Sequence, residues 1–326
     1  MRQKIKRIII EFVRIGVGVL IIFVLLKKVD IQKIFHIILN INIWFFLLAL
    51  FTYIFNTILC LNRWQMLLVG ANVNLSLRRT AVSFLTGLFF NLFLPSAIGG
   101  DVIRTMHLSG HTRKPKEVAA TVLLDRLSGS IGMVFIAVIA VLIGGNCIKD
   151  VSVFISVAIL FFLLTAGLLV IFNNFIYTRI NHFLRRGGKI KEMIRELHNE
   201  IYLFKNRPQI IINNLIMSLL IQFTAPVAFY ILSIALNYHI NFIYFLIFVP
   251  IVSAISMLPI SIGGLGLREA SLMFFFTRVG LSGEHGFILS LLIFFFSIVV
   301  GLIGGVVYVI TFHPRWIQYN SSHTKT

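Results

Sequence analysis

The chain has 326 residues, 58% hydrophobic and only 12% charged, with a mean hydropathy of +0.96. Soluble domains of this size do not carry so little charge, which leaves an all-α polytopic membrane protein. The formal charge of +18 would point to nucleic acid in a soluble chain, but no aromatic-plus-basic motif or zinc-ligand spacing accompanies it. No nucleic-acid partner is expected, and the Lys and Arg are assigned to topology and anionic headgroups.

The N-terminus, MRQKIKRIII, is basic, and the apolar stretch Ile15 to Leu26 is followed by Lys27-Lys28-Val29-Asp30, which offers no small-residue cleavage site. A retained first span over Ile8 to Leu26 follows, with Glu11 and Arg14 three apart in its first turns. A second span is predicted over Ile43 to Leu61, with Arg63-Trp64 as its basic and aromatic interface anchor. Ala81 to Leu94 comes after Arg78 and Arg79 and is too short: about 14 helical residues reach ~21 Å, against a ~30 Å hydrocarbon core. The chain then turns polar (Arg104, His107, His111, Arg113, Lys114, Lys116), and both histidines read as interface loop residues. Val118 to Ile143 spans next, carrying Asp125-Arg126 about two turns in, and Val151 to Phe172 spans back.

Residues 179–207 repeat apolar positions at three- and four-residue steps (Ile190, Met193, Ile194, Leu197, Ile201, Phe204). Lys189, Lys191, Arg195 and Lys205 fall largely off that stripe. This is either a basic amphipathic cytoplasmic helix on an anionic leaflet or a solvated connector. Ile210 to Leu236 spans with a kink expected at Pro226. Phe242 to Leu258 is interrupted by Pro250, Ala270 to Val279 is short, and Phe287 to Phe312 is the last full span. A polar tail, 313–326, follows. Cys60 and Cys147 fall on opposite faces without metal-ligand neighbours, so neither a disulfide nor a metal site is expected.

One decapeptide occurs twice: PSAIGGDVIR from Pro95 and PISIGGLGLR from Pro259. Pro95 and Pro259, Ile98 and Ile262, Gly99-Gly100 and Gly263-Gly264, and Arg104 and Arg268 fall in register. Each copy follows a short or interrupted apolar run, the sequence sign of a transporter's binding site. With the N-terminus in the cytoplasm and each element entering and leaving by one face, most of the 29 basic residues become cytoplasmic, as the positive-inside rule requires. The first element then enters from the cytoplasm and the second from outside. The expected architecture is one membrane domain, 1–312, in the cell membrane. It has about six full spans and two re-entrant hairpins in an inverted repeat, roughly 43–143 and 210–312.

Non-helical backbone at membrane depth is tolerated only where protein buries it or a water-filled cavity adjoins it. The glycine pairs are expected to make sharp turns with amides available to an anion. Asp101, Arg104, Asp125, Arg126, Arg268 and Glu269 are the ionisable groups nearest the interior and should face one another or water. Two readings stay open. The arginines form a cavity for a phosphate-like headgroup, which the planar guanidinium binds bidentately. Alternatively, three ion pairs, Asp101–Arg104, Asp125–Arg126 and Arg268–Glu269, only hold the hairpins. Asp125 and Arg126 point about 100° apart on a helix, so they cannot simply pair with each other. A lipid-modifying enzyme would need a nucleophile with its base, or clustered carboxylates and histidines. Pro95-Ser96 only hints at one, and no enzyme activity or cofactor is expected.

Asn91-x-x-x-Pro95-x-x-x-Gly99-Gly100-Asp101-x-x-Arg104, then Asp125-Arg126, then Pro259-x-x-x-Gly263-Gly264-Leu265-Gly266-x-Arg268-Glu269 resemble the lysylphosphatidylglycerol synthase transmembrane-region family. That family includes the flippase half of multiple peptide resistance factors, the membrane part of an archaeal dolichol-linked glycosyltransferase and a hopanoid-transport protein. Asp125 departs from it mildly, standing where Glu is expected. No aminoacyl-transfer domain is expected after Phe312, so synthesis of lysylphosphatidylglycerol is not implied. The resemblance implies lipid translocation, with membrane lipids as cargo. A homo-oligomer or a partner glycosyltransferase is possible. The accessory subunit of a lipid-linked glycosyltransferase and a membrane-embedded lipid-modifying enzyme are the alternatives.

Overall fold

The computed structural model describes residues 37–94, 99–112, 114–144, 150–172, 207–258, 261 and 264–323, with 21, 23–25, 27 and 32 besides. The first span at 8–26 apart from residues 21 and 23–25, the connector 179–207 apart from Arg207, Cys147, Pro95, Pro259 and Gly263 lie outside the described residues. Among those described there are helices and no strands: α1 Ile43–Gly70, α2 Leu77–Asn91, α3 Gly99–Ser109, α4 Pro115–Gly144, α5 Val151–Phe172, α6 Pro208–Ala235, α7 Phe242–Ser256, α8 Leu267–Thr277 and α9 Gly283–His323. Four of them are long and apolar enough to cross a membrane: α1, α4, α6 and α9 as far as Thr311.

Local chemistry sets the helix starts. The Asn42 side chain accepts from the amides of Trp44 and Phe45 at 3.1 and 3.4 Å, and Asn241 caps α7 through Ile243 N at 3.0 Å. Pro208 opens α6, where its missing N–H costs nothing. Two ends differ from expectation. The second span does not stop at Leu61 but runs to Gly70, because Arg63 and Trp64 are buried rather than placed at an interface. The last helix passes Phe312 and continues to His323, a stretch with no glycine to cap it.

The order of helix lengths occurs twice. Helices of 28, 15, 11 and 30 residues (α1 to α4) are followed, after α5, by helices of 28, 15 and 11 residues and then the long α9 of 41 (α6 to α9). The leading helix of each set packs against the other, and they run antiparallel. At one end Asn42 N donates to Ala235 O at 2.8 Å; at the other Arg207 donates to Gly70 O at 3.1 Å and to Asn72 Oδ1 at 2.8 Å. The short helices double back on themselves. Gly100 N donates to Asn91 Oδ1 at 2.8 Å near the α2–α3 bend, while Ser83 and His107 hydrogen-bond at its open end. In the second hairpin Phe245 meets Phe276 and Phe248 meets Phe275, each with ring centroids 5.2 Å apart.

The ends of the bundle differ in charge. Arg78, Arg79, Lys114 and Arg207 gather at the end of α1 and the start of α6, where Lys114 also donates to Asn72 O at 3.0 Å. At the other end Arg278 pairs with Asp150 at 3.0 Å. Hydrogen bonds from Ser152, then that arginine, hold the Asp150 carboxyl below its ordinary range.

Lipid tails are as apolar as leucine, so membrane helices gain little by hiding apolar side chains from them and rely on close packing. Helix α9 approaches α2 through Gly301, Gly304 and Gly305, and a β-carbon at Gly304 would lie 2.2 Å from Leu85 O. Gly304→Val is therefore expected to force the helices apart at a cost of about 1–3 kcal/mol, the usual range for overpacking. The check is thermal unfolding of the detergent-solubilised protein. Gly110→Ala, whose β-carbon would meet no atom closer than 3.5 Å, should unfold at the unaltered temperature.

Candidate functional site

Five charged side chains from three helices form a chain of alternating sign. Arg63 of α1 donates through Nε to Asp125 Oδ1 of α4 at 2.9 Å and through Nη1 to Ser218 Oγ of α6 at 3.0 Å. The other oxygen of Asp125 accepts from Arg104 Nη2 of α3 at 3.1 Å. Arg104 Nε stands 3.1 Å from Asp101 Oδ1, too poorly aligned for a hydrogen bond, and Asp101 Oδ2 accepts from Arg126 Nε. Arg63, Arg104 and Asp125 are each at most 7% exposed. The arginines outnumber the acids by one, and the Arg104 guanidinium lies over Trp64 at 4.6 Å and Phe84 at 5.6 Å, whose ring faces favour the positive charge.

Two of the pairs expected from sequence are present, Asp101–Arg104 and Arg268–Glu269. Asp125 bonds Arg63 and Arg104, and Arg126 turns to Asp101 instead of its neighbour, as the angular separation on a helix requires. The sequence reading missed Arg63. Its signal was present: Met66-Leu67-Leu68-Val69 continues the apolar run beyond it, which places the arginine inside the helix.

The two glycine pairs do different work. Gly99-Gly100 opens α3 as helix rather than forming a sharp turn. Gly100 is needed because a β-carbon there would stand 2.2 Å from Gly87 O. Its amide is already taken by Asn91 Oδ1. Gly264 does turn the chain, at φ +77°, and Gly266 follows at +83°, both in the region that favours glycine. Glu269 then draws the second hairpin together: Oε2 accepts from Gly266 N, and Oε1 from Arg268 and from Ser290 Oγ at 2.8 Å. Arg268 Nε adds a bond to Ser290 Oγ at 2.8 Å, and its guanidinium lies 5.1 Å from the Phe294 ring centre.

Between the hairpins is a cavity of about 350 Å³. Helix α1 supplies Tyr53, Asn56, Thr57 and Cys60; α2 supplies Phe84, Leu88 and Asn91, with Leu92 just beyond it; the α7–α8 region supplies Ser256, Leu265 and Arg268; α9 supplies Phe294, Ser297 and Val300. Of the residues singled out from sequence, Asn91 and Arg268 line it. Asp101, Arg104, Asp125 and Arg126 form the neighbouring ion chain, Gly99 and Gly100 the hairpin contact, and Gly264 and Glu269 the second bend. Among the described residues Arg268 is its one charged residue. Bonds to Glu269 and Ser290 engage Nε and Nη2; among the described residues neither Arg268 Nη1 nor Asn91 Nδ2 has a partner. A single fork of donors in a ring of hydroxyls and amides, walled by aromatic and aliphatic groups, suits the polar end of an amphiphile. No group of three His, Cys, Asp or Glu able to hold a metal occurs among the described residues.

Comparison with known proteins agrees with the motif resemblance. The lysylphosphatidylglycerol synthase TM region family matches residues 12–305. The chain belongs to that family. Among relatives of this lysylphosphatidylglycerol synthase transmembrane-region protein is a UPF0104 membrane protein of Pyrococcus horikoshii, 24% identical over 293 residues, covering 83% of this chain and 88% of the relative. Another, from Methanothermobacter thermautotrophicus, is 23% identical over 271 residues, or 76% of each chain.

The ion chain yields a stability prediction. Asp125→Ala leaves buried Arg63 with no acidic partner among the described residues and Arg104 with Asp101 alone, and is expected to cost about 3–5 kcal/mol, as when one partner of a buried pair is removed. Arg126, about a third exposed at its side chain, should matter far less: Arg126→Gln is expected to cost about 0–1 kcal/mol. Thermal unfolding of both variants in one detergent gives the comparison.

Proposed function

We propose that this protein moves an anionic lipid, an anionic phospholipid or a polyprenyl phosphate, across the cell membrane. The observation that carries the reading is the cavity between two helical hairpins, with open Arg268 and Asn91 donors on its wall. A phosphate oxygen would accept from Arg268 Nη1 and Asn91 Nδ2 while the acyl chains stay in the bilayer. Phe84, Leu88 and Phe294 would then face the apolar part of the molecule. Arginine fits because its fixed planar fork matches phosphate oxygens and it is more weakly hydrated than an ammonium. Translocation requires no covalent step, and no catalytic residue is assigned.

The repeated helix order supports an inverted repeat. Equivalent leading helices α1 and α6 run antiparallel, so the halves would relate by a two-fold axis lying in the membrane plane, as in many secondary transporters. Helices α2 and α7, at ~22 Å each, fall short of a ~30 Å core, which fits re-entrant hairpins. With the first span, α5 and the four long helices, this gives six full crossings, and the basic end of the bundle would face the cytoplasm.

Two measurements test the reading. Single cysteines at Ser76 and His111 should label from the cytoplasm, and at Asn237 and Ser282 from outside; opposite-side labelling within either pair rejects re-entrant hairpins. In proteoliposomes carrying fluorescent phosphatidylglycerol, Arg268→Lys keeps a cation beside Glu269 but removes the fork. Translocation should fall about tenfold or more, the range for one charge-assisted hydrogen bond, with unfolding temperature preserved. An unchanged rate would sink the headgroup assignment.

A further inference from the structure

A second cavity, of about 340 Å³, opens at the basic end of the bundle, on the far side of the first hairpin from the central one. Its lining includes Arg78, Arg79 and Ser83 of α2, His107 and His111 from the α3 end, and Thr311 of α9. Among the described residues no Asp or Glu lines it and neither arginine has an acidic partner. We propose that this cavity is an anion site for a phosphate group, distinct from the central cavity and independent of the translocation reading.

Geometry argues for a built floor. Ser83 is fully buried and hydrogen-bonded to His107 Nδ1, and His111 Nδ1 donates to His107 O at 2.8 Å, which fixes both rings at the cavity base with centroids 5.1 Å apart. The two arginines rise from the rim, exposed and able to fold over an occupant. Two guanidinium groups folding over an acid-free cavity would meet phosphate oxygens with paired donors, a match that a neutral or zwitterionic group with a bulky cation does not make. The space equals about eleven waters of liquid at ~30 Å³ each, enough for a phosphate with a glycerol-sized substituent.

Position favours a lipid source. Thr311 stands just before His313-Pro314-Arg315, where the sequence of α9 turns polar, which sets the cavity at the height of leaflet phosphates. Helix α2 separates the two sites: Ser83 faces this cavity and its neighbour Phe84 faces the central one.

The test uses the full chain in detergent, titrated with dihexanoyl phosphatidic acid, dihexanoyl phosphatidylcholine or inorganic phosphate, with binding read by calorimetry. The expected result is binding of the phosphatidic acid that weakens about tenfold or more in Arg78→Gln/Arg79→Gln, since each charge-assisted bond is worth about that factor. The same dependence on Arg78 and Arg79 should remain in an Arg268→Lys background, which removes the central cavity's fork. Equal binding of inorganic phosphate with the same arginine dependence would support the site and assign it an aqueous anion. Binding of phosphatidylcholine as tight as phosphatidic acid would overturn the proposal. So would loss of binding in Arg268→Lys but not in the double variant, which would place the ligand in the central cavity. No binding of any of the three would also overturn it, and because both replaced arginines are exposed, unaltered unfolding of the double variant confirms that the comparison is fair.

Discussion

The carboxylate of Asp125 is the fixed point of the first half of the molecule. A lone carboxylate in a membrane interior is costly, and a lone arginine no less so. Here each Asp125 oxygen takes a different arginine, from α1 and from α3. That sharing sets the depth and rotation of three helices at once, and Ser218 extends it to a fourth, α6. Gly129 contributes by having no side chain: a β-carbon there would stand 3.2 Å from Arg63 Nη1. Arginine serves this role better than lysine, since its rigid fork reaches Asp125 and Ser218 together.

The second half uses the same motif with fewer charges. Arg104 reaches across to an acid on the helix after its hairpin; Arg268 finds a serine there, Ser290, and takes its carboxylate from adjacent Glu269. One arginine is thereby enclosed in a network, stacked on Trp64 and Phe84, while its counterpart keeps a nitrogen open to the central cavity. The repeat sets where the cations stand. The residues around them decide which one is enclosed and which one faces the central cavity.

Much of this was legible in the sequence because apolar runs and their lengths are local properties. Val151 to Phe172 was placed to the residue, and Phe242 as the start of the second short helix likewise. The pairing of charges was not legible, since it depends on how helices rotate against one another. Asp125 and Arg126 are adjacent in the chain yet serve different partners. Arg63 looked like a helix end because a basic-aromatic pair often is one, and only tertiary packing shows it enclosed. The glycine pairs misled in part for a related reason. A turn at positive φ, as at Gly264, and a helix contact with no room for a side chain, as at Gly100, leave the same letter in the sequence.

The contact between Gly87 and Gly100 has a mechanical consequence. With backbone against backbone and Asn91 bonded across the bend, α2 and α3 have almost no freedom to splay. They form a stiff wedge. Any widening of the space beside Asn91 must displace that wedge whole, and its seat on α9 is notched at Gly301, Gly304 and Gly305. Leu92 and Phe89 fill two of those notches, so the wedge is keyed to one register along α9 and tilts more readily than it slides.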